Sequence, residues 1–245
     1  LAQVKHHFID SHAIHDKVTA ADFERCALQA LEEIFRRSDR AIVVGGTGFY
    51  IKALMEGLDS IPEIPETIRA AIIQEHEEKG LEWLRDAVSR EDPAFFASGE
   101  NRNPQRLMRA LEVVRATGQS ILEYRKREKQ QRPFRMLPVW VTLPRAELYR
   151  RIDARVDDMV DRGLEAEARS LQHLRHLNAL QTVGYQEFFD HFDGKYDLPQ
   201  TIHRIKQNTR HYAKRQETWF KKYFPGKPFE PGDVEGIGAA FKFSS

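Results

Sequence analysis

The sequence predicts an α/β core interrupted by an all-helical insertion, and three observations carry that prediction. Residues 19–57 pass from a capped amphipathic helix through a short apolar run into a glycine turn and a second helix. Residues 63–129 show helical periodicity and turn signals with no strand pattern. Residues 139–143 offer a second strand candidate, after which helices resume. The domains are therefore read as residues 1–62 with 136–245, forming the core, and residues 63–135, forming the insertion.

Each element follows from its residues. Thr19 and Asp22 have the spacing of a capping box, and Phe23, Ala27, Leu28, Leu31, Ile34 and Phe35 recur at helical intervals up to about Arg37. Ala41-Ile42-Val43-Val44 is a continuous apolar run that reads as a buried strand, and Gly45-Gly46-Thr47-Gly48 turns it into a helix that Gly57 stops. Pro65, Gly80, Asp92-Pro93, Asn103-Pro104 and Gly118 punctuate the helical stretch that follows. Pro138 and Pro144 bracket the second strand candidate. A long helix is predicted over 145–177 with a break at Gly163, a further helix over 182–192, and a last one over 198–224 before a tail containing Pro and Gly.

Composition narrows the function classes. With 245 residues, 41% of them hydrophobic, the chain can bury a core, while 31% charged residues and a mean hydropathy of −0.59 argue against a membrane protein. Cys26 stands alone, which excludes an internal disulfide framework and a cysteine zinc site, and the expected compartment is the cytoplasm. Leu1 rather than Met opens the sequence, as a cut N-terminus would. The net charge is only +1, yet residues 101–135 hold ten Arg or Lys against three Glu, and residues 201–224 hold seven against one. Concentrated in two segments, that charge suits a polyanion such as nucleic acid, although basic residues also simply solvate exposed helix faces.

Three constellations bear on chemistry. The Gly45–Gly48 turn opens a helix and presents backbone N–H groups with the Thr47 hydroxyl, which suits an anion; its plainer reading is a tight connection using glycine for its freedom. In the last helix, Ile202, Ile205, Thr209, Tyr212, Trp219, Phe220 and Tyr223 share one face, read as core, beside a face with Lys206, Arg210, Lys214 and Lys221. Gln105, Arg106 and Arg109 lie three and four residues apart, so a helix presents them together to phosphates or base edges, unless they pair with nearby Glu. The ten histidines show no metal-binding spacing, and no Gly-x-Ser-x-Gly elbow occurs.

Taken together, four segments closely resemble the tRNA dimethylallyltransferase family: Gly45-Gly46-Thr47-Gly48-Phe49-Tyr50-Ile51-Lys52-Ala53-Leu54, Pro104-Gln105-Arg106-x-x-Arg109-Ala110-Leu111-Glu112, Val183-Gly184-Tyr185, and Lys206-Gln207-x-x-Arg210-x-Tyr212-Ala213-Lys214-Arg215-Gln216-x-Thr218-Trp219. The likeness extends to His6-His7, the start of the first helix and the Arg151 to Val156 segment, and so covers nearly the whole chain to about Phe224. It implies a P-loop-type core with a parallel sheet, and a helical insertion that grips the anticodon stem-loop of tRNA. It also implies transfer of a dimethylallyl group from dimethylallyl diphosphate to N6 of a flipped adenine beside the anticodon, by a monomeric cytoplasmic enzyme.

The same resemblance assigns residues. Thr47 would act at the reaction centre, Gly45 and Gly46 with Arg151 and Arg155 would meet the diphosphate, and Arg69, Gln105, Arg106, Arg109, Gln181, Gly184, Tyr185, Gln186, Lys214, Arg215, Gln216, Trp219 and Lys221 would contact tRNA. The family's Gly-x-Thr-x-x-Gly-Lys-Thr loop and its Asp-Ser base segment do not occur in this sequence and would precede Leu1, so Mg²⁺ is expected to bind mainly there. Two rival readings are a catalytically inactive tRNA-binding fragment or paralogue and a small-molecule nucleotide kinase; the kinase does not explain the two basic helices.

Overall fold

A computed structural model describes residues 4–126, 128–224 and 226–242, with the side chains of 241 and 242 left aside. The chain divides into two compact units, residues 1–55 with 132–245, and residues 56–131. Helix α1 spans Ala20–Phe35, and its capping box forms: the Asp22 amide donates to Thr19 Oγ1 at 3.2 Å, and the Thr19 amide donates to Asp22 Oδ2 at 3.0 Å. Helix α2, Gly48–Glu56, buries Ala53 and Leu54. Leu54 joins Ala27 and Leu31 of α1 in a small core edged by Phe8, Phe23 and Phe134. Arg132 closes the far end of α2, with Nε donating to the Leu54 carbonyl and Nη2 to the Ala53 carbonyl, each at 2.9 Å, while Glu24 of α1 pairs with the same guanidinium.

The described residues of the unit over 56–131 include helices α3 (Glu66–Glu91), α4 (Pro93–Ala97), α5 (Pro104–Thr117) and α6 (Ile121–Tyr124). Gly80 interrupts α3 with φ 79° and ψ −173°, a conformation that favours glycine, so α3 is two helices meeting at a kink. Ile72, Leu84 and Val88 of α3 pack with Phe95 of α4, Leu107, Leu111 and Val113 of α5, and Ile121 of α6, all essentially inaccessible to solvent. Asp92 is buried at the α3–α4 junction, where it caps the Phe95 amide at 3.0 Å and accepts from the Ser120 hydroxyl at 2.9 Å. One carboxylate thereby ties three helices.

In the first unit the chain continues with α7 (Arg145–Asp161), α8 (Leu164–Ser170), α9 (Tyr185–Phe192), α10 (Leu198–Tyr223) and α11 (Val234–Lys242). The helix predicted over 145–177 breaks at Gly163 and ends as α8, followed by two short 3₁₀ turns over Gln172–Leu174 and Asn178–Leu180. Val156, Leu164, Ala168, Phe188 and Ile205 form the core that α7 to α10 share. Within the tail, read from sequence only by its Pro and Gly, lies α11.

The strand candidates differ from expectation. Among the described residues there is no β-ladder: residues 41–44 form neither helix nor strand, and Ile42 and Val44 are 87% and 89% exposed. A strand needs a neighbour to satisfy its N–H and C=O groups, and no described residue pairs with this run. At the second candidate the pairing is a single parallel bridge, Val141 with Phe229, with the Thr142 amide donating to the Phe229 carbonyl at 3.0 Å.

Candidate active site and RNA interface

The glycine turn and the end of α10 meet directly. Gln216 Nε2 donates to the Gly46 carbonyl at 2.9 Å. The Trp219 ring lies against Gly48 so closely that a Cβ there would stand 2.4 Å from Trp219 Cδ2. Glycine is thus demanded at 48 by the approach of an aromatic face rather than by its φ. Trp219 in turn stacks on Tyr223, with ring centroids 4.5 Å apart, and meets Phe220 and Phe224 edge-on. Lys52 of α2 lies 5.6 Å from the Tyr223 ring centre. Held by these contacts, Thr47 sits exposed at the head of α2, where its carbonyl accepts from the Tyr50 and Ile51 amides at 3.0 and 3.1 Å.

This places two residues assigned to RNA, Gln216 and Trp219, against the turn that carries Thr47. It also shows why the aromatic face of α10 is half-buried rather than core throughout: Ile205 is buried among α7 to α9, whereas Tyr212 is 40% exposed. The cationic face of α10 is partly neutralised by α7. Lys206 Nζ meets Asp157 at 2.5 Å, and Arg210 Nε donates to Asp153 at 3.1 Å. Further along, Lys221 pairs with Glu217 at 2.6 Å, Arg215 lies over the Tyr212 ring at 5.6 Å, and Lys214 is exposed.

Beside α10, the 181–187 segment is fixed by side chains. The Gly184 amide donates to buried Glu187 at 2.7 Å, and Asn208 Nδ2 of α10 donates to the other Glu187 oxygen at 2.6 Å. Tyr185 donates its hydroxyl to Glu167 at 2.6 Å; burial, then this bond, push the phenol up to about 12, so it stays protonated at neutral pH. Gln186 Nε2 donates to Gln181 Oε1 at 2.7 Å, and both residues are exposed. Glu187 escaped the sequence reading, although its place three residues after Gly184 is a capping-box spacing.

In the other unit, α3 and α5 bring Arg69 and Arg109 to one carboxylate. Arg69 Nε and Nη2 donate to Glu112 at 3.0 and 3.2 Å, and Arg109 Nη1 donates to Glu112 Oε2 at 2.9 Å. The bond to Glu112 raises the Arg69 pKa further. Gln105 and Arg106 are exposed at the start of α5, Arg106 paired with Glu100 at 3.2 Å, and Asn103 caps the Gln105 amide at 3.0 Å. Much of the local positive charge over 101–135 is structural: Arg115 bonds Glu75 and Glu91, each at 2.9 Å, and Arg125 bonds Glu100 at 3.0 Å. Arg151 and Arg155 are exposed on α7, Arg151 donating to Glu147 at 2.8 Å, and no bond among the described residues joins either to the glycine turn. The described residues contain no cluster of three or more His, Cys, Asp or Glu able to hold a metal ion.

Two solved structures share this arrangement of helices. The chain matches the full-length tRNA isopentenylpyrophosphate transferase of Bacillus halodurans with a TM-score of 0.64 and 32% identity, over 98% of this chain and 77% of that one. It also matches a eukaryotic dimethylallyltransferase, from crystallographic snapshots of that enzyme acting on tRNA, with a TM-score of 0.62 and 25% identity over 85% of this chain and 54% of that one. The fold is that of the prenyl-transferring enzymes. The family model described as IPP transferase matches residues 1–223, and the chain belongs to that family. The tRNA dimethylallyltransferase of Cytophaga hutchinsonii is 44% identical over 96% of this chain and 77% of its own length. Its counterpart named tRNA dimethylallyltransferase 1 in Bacteroides thetaiotaomicron is 39% identical over 91% and 72%. These relatives carry the transferase name and lend no support to an RNA-binding protein without catalysis.

Proposed function

We propose that this chain transfers a dimethylallyl group from dimethylallyl diphosphate to the exocyclic N6 of the adenine beside the anticodon of tRNA. The observation that carries this reading is the meeting of the glycine turn with Gln216 and Trp219, in a chain of the IPP transferase family. The N6 lone pair forms a bond to C1 of the dimethylallyl group as the C1–O bond breaks; diphosphate departs with that electron pair, and N6 gives its proton to a general base, the role that the family's Asp-Ser base segment, which this sequence does not contain, would fill. Charge develops on the departing diphosphate, so donors fixed beforehand stabilise the transition state most. Thr47 supplies an exposed hydroxyl, and Gly45, Gly46 and the first amides of α2 supply N–H groups at the positive end of a helix dipole. Arg155 and Arg151 are more remote candidates for the diphosphate.

The RNA is held at two places in this reading. Arg69, Gln105, Arg106 and Arg109 of the helical unit take the anticodon stem-loop, and Gln181, Gly184, Tyr185, Gln186, Lys214, Arg215 and Lys221 take the RNA near the turn. Gln216 and Trp219 serve it by holding the turn. The unit over 56–131 corresponds to the inserted domain, and in this reading residues 41–44 are the run that a parallel sheet of a P-loop-type core would pair, a pairing no described residue supplies. Mg²⁺ would accompany the diphosphate, but the described residues build no site that fits it, so no step above is routed through it. No described helix is long and apolar enough to cross a membrane, and a monomer working in the cytoplasm suits a tRNA-modifying enzyme.

Kinetics of two variants test the division of labour. Thr47→Ala lowers kcat by about a hundredfold with tRNA affinity little changed, because it removes a donor used at the reacting centre. Arg106→Ala chiefly weakens tRNA binding and flattens its salt dependence by about one unit of slope. The reverse division would overturn both roles.

A further inference from the structure

Glu112 is buried while the two guanidiniums it holds are not: its side chain is 9% exposed, against 39% for Arg69 and 34% for Arg109. The carboxylate accepts three hydrogen bonds, two from Arg69 on α3 and one from Arg109 on α5. A fork-like pair fixes the plane of Arg69, and the third bond fixes an edge of Arg109. Unrestrained arginines at a surface would each lose considerable rotamer freedom on meeting a ligand. The arrangement also lowers attraction, since the three groups sum to one positive charge, and Glu66 adds further negative potential near Arg69. A surface built only to attract a polyanion would do better without Glu112.

We infer that Glu112 is a positioning and specificity-determining residue of the RNA interface, which orients Arg69 and Arg109 for one RNA shape at the expense of general attraction to polyanions. The inference rests on the reading that these two arginines contact tRNA. Glu112 touches no RNA itself. The remaining N–H groups of both guanidiniums are presented at a fixed spacing, which suits phosphate or base-edge acceptors of a folded stem-loop and gives no advantage on a flexible strand.

The test is equilibrium binding of the full chain to two probes, an anticodon stem-loop RNA with adenine after the anticodon, and poly(U). Glu112→Gln is expected to weaken stem-loop binding about tenfold, the scale of losing hydrogen bonds to a charged group. Poly(U) binding should stay the same or tighten, because the variant gains one unit of positive charge. Arg69→Ala/Arg109→Ala should weaken the stem-loop, and Glu112→Gln added to that pair should cost nothing more, since its effect passes through the arginines. A further loss in the triple variant would mean that Glu112 serves only the packing of α3 on α5 and would overturn the inference, as would equal tightening on both probes. If the double variant weakens binding while Glu112→Gln does not, the inference fails and the interface stands; if the double variant binds as the parent does, both fail. Should Glu112→Gln not fold, Glu112→Asp keeps the charge while withdrawing the carboxylate. It is expected to weaken the stem-loop with poly(U) binding unchanged, and equal binding of the stem-loop would contradict the inference.

Discussion

At Gly48 one added methyl group would meet the Trp219 ring, 2.4 Å from Cδ2 and 2.6 Å from Cε2, whereas at Gly46 it would meet the terminal amide of Gln216 at 2.0 Å. The ring is clamped by Tyr223, Phe220 and Phe224, but an amide at the end of a flexible chain can swing away. Gly48→Ala is therefore expected to cost about 1–3 kcal/mol, and Gly46→Ala about 1 kcal/mol or less, mostly through the lost Gln216 bond. Thermal melts of the two variants check the order, and an equal or larger drop for Gly46→Ala would contradict the clamped-ring account. The glycines were legible in the sequence as a turn, but the reason for them was not. Gln216 and Trp219 lie far along the chain, and no local pattern announces which distant side chain will press on a glycine.

The helices are where sequence and structure agree most closely, because their signals are local. Thr19 with Asp22, Asn103 before Pro104, and Asp197 before α10 each cap the helix that follows. Asn103→Ala should cost about 1 kcal/mol, read from chemical denaturation, and fray the turn that carries Gln105 and Arg106. Asp92 makes a stronger case, since it lies buried and joins α3, α4 and the start of α6; Asp92→Ala leaves the Ser120 hydroxyl and the Phe95 amide unmet and should cost about 3 kcal/mol. An effect below that of Asn103→Ala would contradict its linking role. The strands show the opposite case. The apolar run over 41–44 satisfies every local criterion for a buried strand, yet strand formation depends on a partner that periodicity does not reveal. The pairing of α10 with α7 was equally hidden: the lysines and arginines of α10 were visible as a cationic face, but Asp153 and Asp157, which offset it, come from another helix.

Over the whole molecule, ion pairs are spread along the helices, and carboxylates lowered by their partners should shape the response of stability to acid. Bonds from Arg150 and Arg151 hold Glu147 down to about 2, from an ordinary value of 4.5. Bonds from Arg175 lower Asp193, those from Arg115 lower Glu75, and those from Thr19 lower Asp22. A depressed carboxylate stabilises the folded chain at pH values above its unfolded pKa, and that contribution disappears as pH falls through the folded value. Denaturation midpoints should therefore be flat from neutrality to about pH 4.5 and fall toward pH 2, less steeply in high salt because these groups lie at the surface, in reach of solvent ions. A midpoint that rises on acidification would contradict the ion-pair assignments. Of the candidate site, the motif residues were legible as types at spacings, whereas which basic residues are held within the protein by carboxylates and carbonyls was not. Arg115, Arg125 and Arg132 look like Arg106 in sequence and differ only in what lies beside them. The central claim is chemical and has a direct test: incubate the protein with tRNA and dimethylallyl diphosphate, digest the RNA, and look for N6-dimethylallyl adenosine by mass spectrometry. The account predicts that product with the parent chain and far less with Thr47→Ala at equal tRNA binding; tRNA that is bound but returned with unmodified adenosine would contradict it.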